Sequence, residues 1–264
     1  MQIIYNIIMK IRPTFLASKI KSFLKLKRQI ISTDYGKFFI DPVSNFGHSL
    51  RTNRVYEEDL TQIFQQILGP GDTVVDVGAN EGYYSILASK IVGTEGKIFA
   101  IEPQSRLQNI LFNNIELNEA YNIVVHQTTV SDSIGSVKLN LTPDTNSGSS
   151  GILQSTKYKN PTETVPTKRL SDIVKLFDLN NINLLKMDIE GFEYQAILGD
   201  KELFQSDIIK NFALELHPTV IKKYGNDSNK VINFLHECGF AEIGSEDNNI
   251  RNIDRTILFK KTTS

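Results

Sequence analysis

The stretch T-V-V-D-V-G-A-N-E-G, Thr73 to Gly82, decides the fold. Thr73 to Val77 is a continuous run rich in β-branched residues, as expected of a strand buried on both faces. The glycines that follow, and the apolar period beginning at Tyr83, predict a tight turn into a helix. Glycine at 78 lets the backbone turn sharply, because a Cβ there would collide with whatever lies over the strand end. The helix presents free N–H groups toward the same crevice, so the stretch reads as a ligand-binding turn. A tight turn with no ligand would carry the same glycines.

Outward from that turn, strands and helices alternate, the signature of a parallel α/β sheet. Strands are expected at Lys97 to Ile101, Ile123 to Val130, Ile182 to Ile189 and Ile208 to Leu216, with shorter candidates at Ala241 to Ile243 and Thr256 to Phe259. Helices are expected at Tyr83 to Val92, Gln104 to Asn118, Ser171 to Leu179, Phe192 to Phe204 and Ser228 to Cys238. An extra strand at Gly135 to Leu141 and the turn-rich stretch TPDTNSGSSG, residues 142–151, interrupt the alternation. Upstream, Tyr56 to Leu68 reads as an amphipathic helix closed by Gly69, Pro70 and Gly71, and residues 37–41 (KFFID) as a short strand. The pattern predicts a doubly wound α/β fold with a mostly parallel, seven-stranded sheet over residues 54–264. An N-terminal extension over residues 1–53 precedes it.

The turn also narrows the ligand. A dinucleotide fold wants a second glycine to admit pyrophosphate; Asn80 stands there instead, and Asp76 would press a negative charge toward the phosphates. An acid two residues before Gly78 suits a cationic ligand. Glu102, at the end of the next strand, is placed to accept hydrogen bonds from a ribose diol. A nucleoside with a positive group and no phosphate satisfies both, and S-adenosylmethionine has these features. Glu102 as a surface acid or helix cap is the other reading.

Five motifs in order carry a resemblance: D-V-G-A-N-E-G-Y-Y-S from Asp76, I-E-P ending at Pro103, V-S-D at Val130 to Asp132, K-M-D-I-E-G at Lys186 to Gly191, and L-E-L-H at Leu214 to His217. Across residues 54–243 the sequence resembles the FkbM family of S-adenosylmethionine-dependent methyltransferases, which implies a class I, Rossmann-like methyltransferase fold. By that resemblance Asp76, Gly78 and Asn80 would lie along the methionine part of the cofactor and Glu102 would bind the ribose. Asp132, with Ser131, would accept from the adenine amino group; as an alternative, Asp132 caps the turn into the extra strand.

Methyl transfer from a sulfonium is an in-line displacement that needs positioning, and a base when the acceptor is a hydroxyl. Asp188 and Glu190 end the fourth main strand, where the sheet order reverses and ligands gather. Asp188 is expected to face the methyl group and acceptor, and Glu190 to orient the loop. Oxygen ligation of a divalent cation by this pair is the less favoured reading, and no metal is expected. Glu215 and His217 are the best-placed base candidates; His217 as a structural histidine before Pro218 is the alternative. Glu57 is expected to border the acceptor pocket. The tract Asn146 to Gly151 is either a lid over the site or a plain connection. D-I-E-G at Asp188 to Gly191 lacks the Asn or Asp, double proline and aromatic of enzymes that methylate amino groups of nucleic acids.

Over the 264 residues, basic and acidic side chains number 29 and 30, a balance that argues against a protein built to hold nucleic acid. The balance hides a segregation. Lys10, Arg12, Lys19, Lys21, Lys25, Lys27 and Arg28 all fall within residues 1–33, which contain no acid, so a basic leader precedes an acidic body. Apolar residues recur at helical spacing through Ile3 to Ile11 and, after Pro13, through Leu16, Ile20, Phe23, Leu24 and Ile31. Such a region fits peripheral contact with an anionic membrane surface, or a helix packed on the body or on a partner. The single cysteine, Cys238, excludes a disulfide framework and a Cys-rich zinc site and points to a reducing compartment. No uncharged run approaches the ~18 apolar residues of a membrane span, and no small-residue cleavage site follows Lys10 and Arg12. The body reads as cytoplasmic.

Taken together, the expected activity is transfer of a methyl group to a hydroxyl of a sugar, glycan or glycosylated metabolite, the acceptor class resting on the resemblance alone. A natural-product hydroxyl or an amine is a closer alternative. A nicotinamide-dependent oxidoreductase and a non-catalytic, membrane-associated cofactor-binding module are rivals from other classes.

Overall fold

A computed structural model describes residues 2–11, 14–142, 150–151, 161–243 and 256–262. The chain opens with helices α1 (Gln2–Lys10) and α2 (Thr14–Phe23), the hairpin β1 (Gln29–Thr33) and β2 (Gly36–Ile40), and helices α3 (Asn45–Thr52) and α4 (Glu58–Ile67). The alternating core begins with β3 (Thr73–Val77), α5 (Tyr83–Val92), β4 (Lys97–Ile101), α6 (Ser105–Leu117) and β5 (Ile123–His126). Strands β6 (Thr129–Val130), β7 (Gly135–Asn140) and β8 (Thr162–Lys168) form a separate small sheet in the order β6-β8-β7. The second half runs α7 (Leu170–Leu176), β9 (Ile182–Met187), α8 (Glu193–Leu198), α9 (Lys201–Gln205) and β10 (Ile209–Glu215). It closes with α10 (Pro218–Lys223), α11 (Asn229–Glu237), β11 (Phe240–Glu242) and β12 (Thr256–Lys261).

The main sheet has seven strands in the order β11-β12-β10-β9-β3-β4-β5. Strands β10, β9, β3, β4 and β5 pair in parallel, and β12 runs against both its neighbours. From β3 the chain steps to β4 and β5 on one side, whereas from β9 it steps to β10 on the other. The order therefore reverses between β3 and β9, as the doubly wound reading requires. Alternate strand residues enter two cores. Val75, Val77, Phe99, Leu185 and Met187 pack with residues of α7, α8, α9 and α11, while Val74, Ile98 and Leu184 pack with α4, α5, α6 and β2. Burial on both faces explains why these strands read as continuous apolar runs.

Several boundaries differ from expectation for identifiable reasons. The run 123–130 divides after His126, where Thr128 N–H turns back to the His126 carbonyl (3.0 Å) and Thr129 leaves the main sheet to pair with β8. The helix expected over 192–204 breaks at Gly199 and Asp200; a Cβ on Gly199 would lie 2.6 Å from the Asp132 Cα. The fourth main strand stops at Met187 rather than Ile189, because Glu190 (φ 54) and Gly191 (φ 99) turn the chain with left-handed backbones.

The apolar period of the leader ends with α2, and residues 29–33 instead pair with β2. The open edge of β2 is satisfied by side chains of α6 and of the residue that caps its C-terminus. Asn114 Oδ1 accepts from Phe39 N–H (2.6 Å) and Asn118 Oδ1 from Lys37 N–H (2.9 Å). Helices α1 and α2 rest on the body through Tyr5, Ile8, Ala17 and Val43. Lys21 pairs with the buried Asp41, and Arg28 reaches Glu81 through both guanidinium nitrogens (2.8 and 2.9 Å).

Candidate active site

After Val77 the chain turns through Gly78 (φ 83), Asn80 (φ 51) and Gly82 (φ 90). The N–H groups of Gly78 and Ala79 both donate to the Ile101 carbonyl (2.9 and 3.0 Å), which fastens the turn to the end of β4. The left-handed backbone at Asn80 aims its N–H at Glu102 Oε2 (2.9 Å), and Gln104 N–H donates to Oε1 (2.9 Å). Burial pushes the Glu102 carboxyl up to about 7, against the pull of the Gln104 and Asn80 hydrogen bonds and the charge of Lys186.

Asp76 does not reach the cleft surface. It is 1% exposed; Oδ2 accepts from the Ser85 hydroxyl (2.6 Å) and Oδ1 lies 3.7 Å from Lys186 Nζ. The cation facing Asp76 is therefore a lysine of the protein. Lys186 Nζ also donates to the Gly78 carbonyl (3.2 Å) and stands 3.8 Å from Asp188. Burial alone would lower this lysine, but Asp76 and Asp188 outweigh it and hold the ammonium charged. Sequence reasoning assigned Lys186 no role, although a lysine inside the buried run I-N-L-L-K-M is itself a signal.

Asp188 N–H donates to the Val77 carbonyl (3.0 Å), joining the ends of β9 and β3. Although the strand has ended, the turn brings both its carboxylates to His217. Nε2 lies 3.9 Å from Asp188, 3.7 Å from Glu190 and 3.7 Å from Glu215. On the far side Nδ1 donates to Glu193 Oε1 (3.0 Å); the same oxygen accepts from the N–H groups of Ile189 (3.2 Å) and Gly191 (3.0 Å). Glu193, fully buried, thus fixes both the loop and the ring. It too was missed, because an acid in a helix's first turn is ordinarily a solvated residue. Burial would lower the His217 imidazole, yet Glu193, Asp188 and Glu190 push it up to about 9, and burial with Asp188 pushes Glu215 up to about 8. The surroundings thus favour a proton on His217, and burial with Asp188 likewise favours the neutral form of Glu215, so Glu215 can accept a proton only once it has ionised.

Two cavities meet at this seam. Glu102, Gln104, Thr129, Ser150 and Glu190 line one, and Phe46, Tyr56, Glu57, Tyr84 and Lys186 the other. Gly78, Asn80 and Asp188 line both. Glu57 (φ 43) accepts from the Tyr84 hydroxyl (2.6 Å). Ser131 and Asp132 line neither cavity; the Ser131 hydroxyl donates to Asp132 (3.1 Å), and Asp132 packs against Gly199. Of the suggested lid, 146–149 lie outside the described residues, while Ser150 and Gly151 line the first cavity.

Carboxylates of Glu102, Asp188 and Glu190 line the first cavity. Glu102 offers a carboxylate to a diol, and among the described residues its lining contains no lysine or arginine to hold a phosphate. Asn80 Oδ1 and Asp188 Oδ1 are buried acceptors without a hydrogen-bond partner. The sequence profile of the methyltransferase FkbM domain matches residues 76–241. The chain belongs to the FkbM family of S-adenosylmethionine-dependent methyltransferases. This sets aside the oxidoreductase and non-catalytic readings. The methyltransferase is 28% identical over 193 residues to the methyltransferase sdnD of Sordaria araneosa, covering 61% of this chain and 73% of that one. It is 28% identical over 166 residues to a methyltransferase of Beauveria bassiana, covering 56% of this chain and 66% of that one. Among solved structures, the FkbM methyltransferase of Methylobacillus flagellatus is 17% identical with a TM-score of 0.44, covering 94% of this chain and 60% of that one.

The buried Glu102 generates a pH prediction. A ribose diol is best held by the ionised carboxylate, so affinity for S-adenosylhomocysteine should fall as pH drops through about 7. Calorimetry between pH 8 and 6 should show that fall in the parent and a weaker, flat profile in Glu102→Gln; parallel profiles would contradict the assignment.

Proposed function

We propose that the protein methylates an oxygen acceptor, a hydroxyl of a sugar, glycan or glycosylated metabolite. The observation carrying this reading is the carboxylate cluster around His217: Asp188, which lines both cavities, and Glu215 lie 3.9 and 3.7 Å from the imidazole. Oxygen, unlike a neutral amine, must shed its proton as it attacks, so a carboxylate of raised basicity near the reacting centre serves this chemistry. In this reading the adenosine lies along Glu102, Asn80 and Gly78, the methyl group points past Asp188, and Glu190 orients the loop. Ser131 and Asp132 would bound the adenine end from behind Thr129. The second cavity takes the acceptor: Phe46 and Tyr56 give it apolar walls for the C–H side of a sugar, and the Glu57 carboxylate, which accepts from the Tyr84 hydroxyl, is placed among them. Incubation with labelled S-adenosylmethionine and panels of glycans and glycosylated metabolites tests it. Label should enter alkali-stable ethers, and Glu215→Gln should lower kcat by about 100-fold or more while sparing S-adenosylhomocysteine affinity. Label confined to amines, or an unchanged kcat, would contradict it.

We also infer peripheral contact with an anionic membrane at the inner face of the cell, through residues 1–33. No helix among the described residues is long and apolar enough to cross a membrane. Ile7 of α1 (58%), Phe23 at the end of α2 (85%) and Leu24 just after it (44%) are nevertheless exposed. Exposed Lys10, Lys19, Lys25 and Lys27 flank them, the pairing that interfacial helices use. Phe23→Glu with Leu24→Glu should abolish sedimentation with phosphatidylserine vesicles. Sedimentation equal to that of the parent would refute the contact.

A further inference from the structure

The cluster around His217 has the makings of a cation site that the adenosyl ligand does not explain. One atom each of Asp188, Glu190 and His217 lies within 4.8 Å of the others. An ion bonded at about 2.1 Å to each of two atoms spans up to about 4.2 Å between them. The separations of 3.9 Å from His217 Nε2 to Asp188 and 3.7 Å to Glu190 fall inside that span and outside direct hydrogen bonding. His217 is 6% exposed, so Nε2 is aimed into the carboxylates by a ring with little freedom to turn away.

Two independent observations point to a ligand at this place. Asp188 Oδ1 is buried and has no hydrogen-bond partner, a costly state for an acceptor unless something arrives to fill it. Glu193 holds the opposite ring nitrogen of His217 at 3.0 Å from full burial. A carboxylate behind an imidazole is the support that metal-bound histidines ordinarily have, because it fixes the tautomer and raises the donor strength of the outward nitrogen. Charge leads the same way. Asp188, Glu190, Glu193 and Glu215 converge on one imidazole, and the nearby Lys186 is already shared with Asp76.

We propose that Asp188, Glu190 and His217 bind a divalent transition-metal ion, with Glu193 as the positioning residue behind His217. One imidazole with two carboxylates suits an ion of intermediate softness, such as Mn2+, better than Mg2+ or Ca2+, which favour oxygen alone. The proposal rests on the methyltransferase reading for its use. An acceptor hydroxyl on the ion would release its proton to the neighbouring Glu215 carboxylate, and its oxygen would form the new bond to the methyl carbon as the carbon–sulfur bond breaks, the electron pair staying on sulfur.

Titration of the full chain with Mn2+, followed by electron paramagnetic resonance, tests the site. One Mn2+ per chain should be taken up, with a nitrogen coupling from His217 that His217→Gln removes. Asp188→Asn should weaken binding at least tenfold, and Glu193→Gln by about 10- to 100-fold. His236→Gln, altering an exposed histidine, should change nothing. S-adenosylhomocysteine affinity is measured on the same samples. Nucleoside binding without Mn2+ uptake, or Mn2+ uptake without the nitrogen coupling, overturns the metal site and leaves the methyltransferase reading standing. Mn2+ uptake with the coupling but without nucleoside binding does the reverse.

Discussion

Two backbones that approach too closely to admit a side chain set the position of everything in the site. A Cβ on Gly78 would stand 1.9 Å from the Asp188 carbonyl oxygen, and its φ of 83 is one that other residues rarely adopt. The neighbour that demands glycine is thus the protein's own chain, not the ligand. This contact, with the Asp188 N–H on the Val77 carbonyl, locks the ends of β3 and β9 together where the sheet order reverses. Lys186 reaches the Gly78 carbonyl because of it. Asp188 is held at the wall shared by both cavities, with Asn80 and Glu102 following from the same turn.

The near-equality of acidic and basic residues conceals how the charges are used. The acids gather at strand ends, and the turn that carries them is itself anchored by the leader. Arg28 grips Glu81, whose carbonyl also accepts from Asn114 of α6 (2.8 Å), so the hairpin, α6 and the turn after β3 form one connected unit. The leader is therefore more than an appendage. Its Lys21 and Arg28 face inward onto acids of the body, while Lys10, Lys19, Lys25 and Lys27 remain at the surface.

The main sheet was legible because its strands are buried on both faces and so appear as unbroken apolar runs between turn residues. Strand β8, T-E-T-V-P-T-K, and strand β1, Q-I-I-S-T, were not, since their extended shape comes from partners distant in the chain. The same division holds in the site. Asp188, Glu190, Glu215 and His217 announced themselves as polar residues ending apolar strands, and the structure brings all four together. Lys186, Glu193 and Arg28 did not, because each acquires its role from a tertiary partner. Asp76 shows the limit most plainly: its negative charge was visible, but the cation that meets it sits on a strand more than 100 residues away, at Lys186.

In the reading proposed above, the cofactor lies across the Gly78–Asp188 contact with its ribose on Glu102. A crystal structure of the full chain with S-adenosylhomocysteine measures this directly. Both ribose hydroxyls should lie on the Glu102 carboxylate, with the sulfur beside Gly78 and Asp188, facing the His217 cluster. A nucleoside bound elsewhere, or one whose sulfur points away from Asp188, would contradict it.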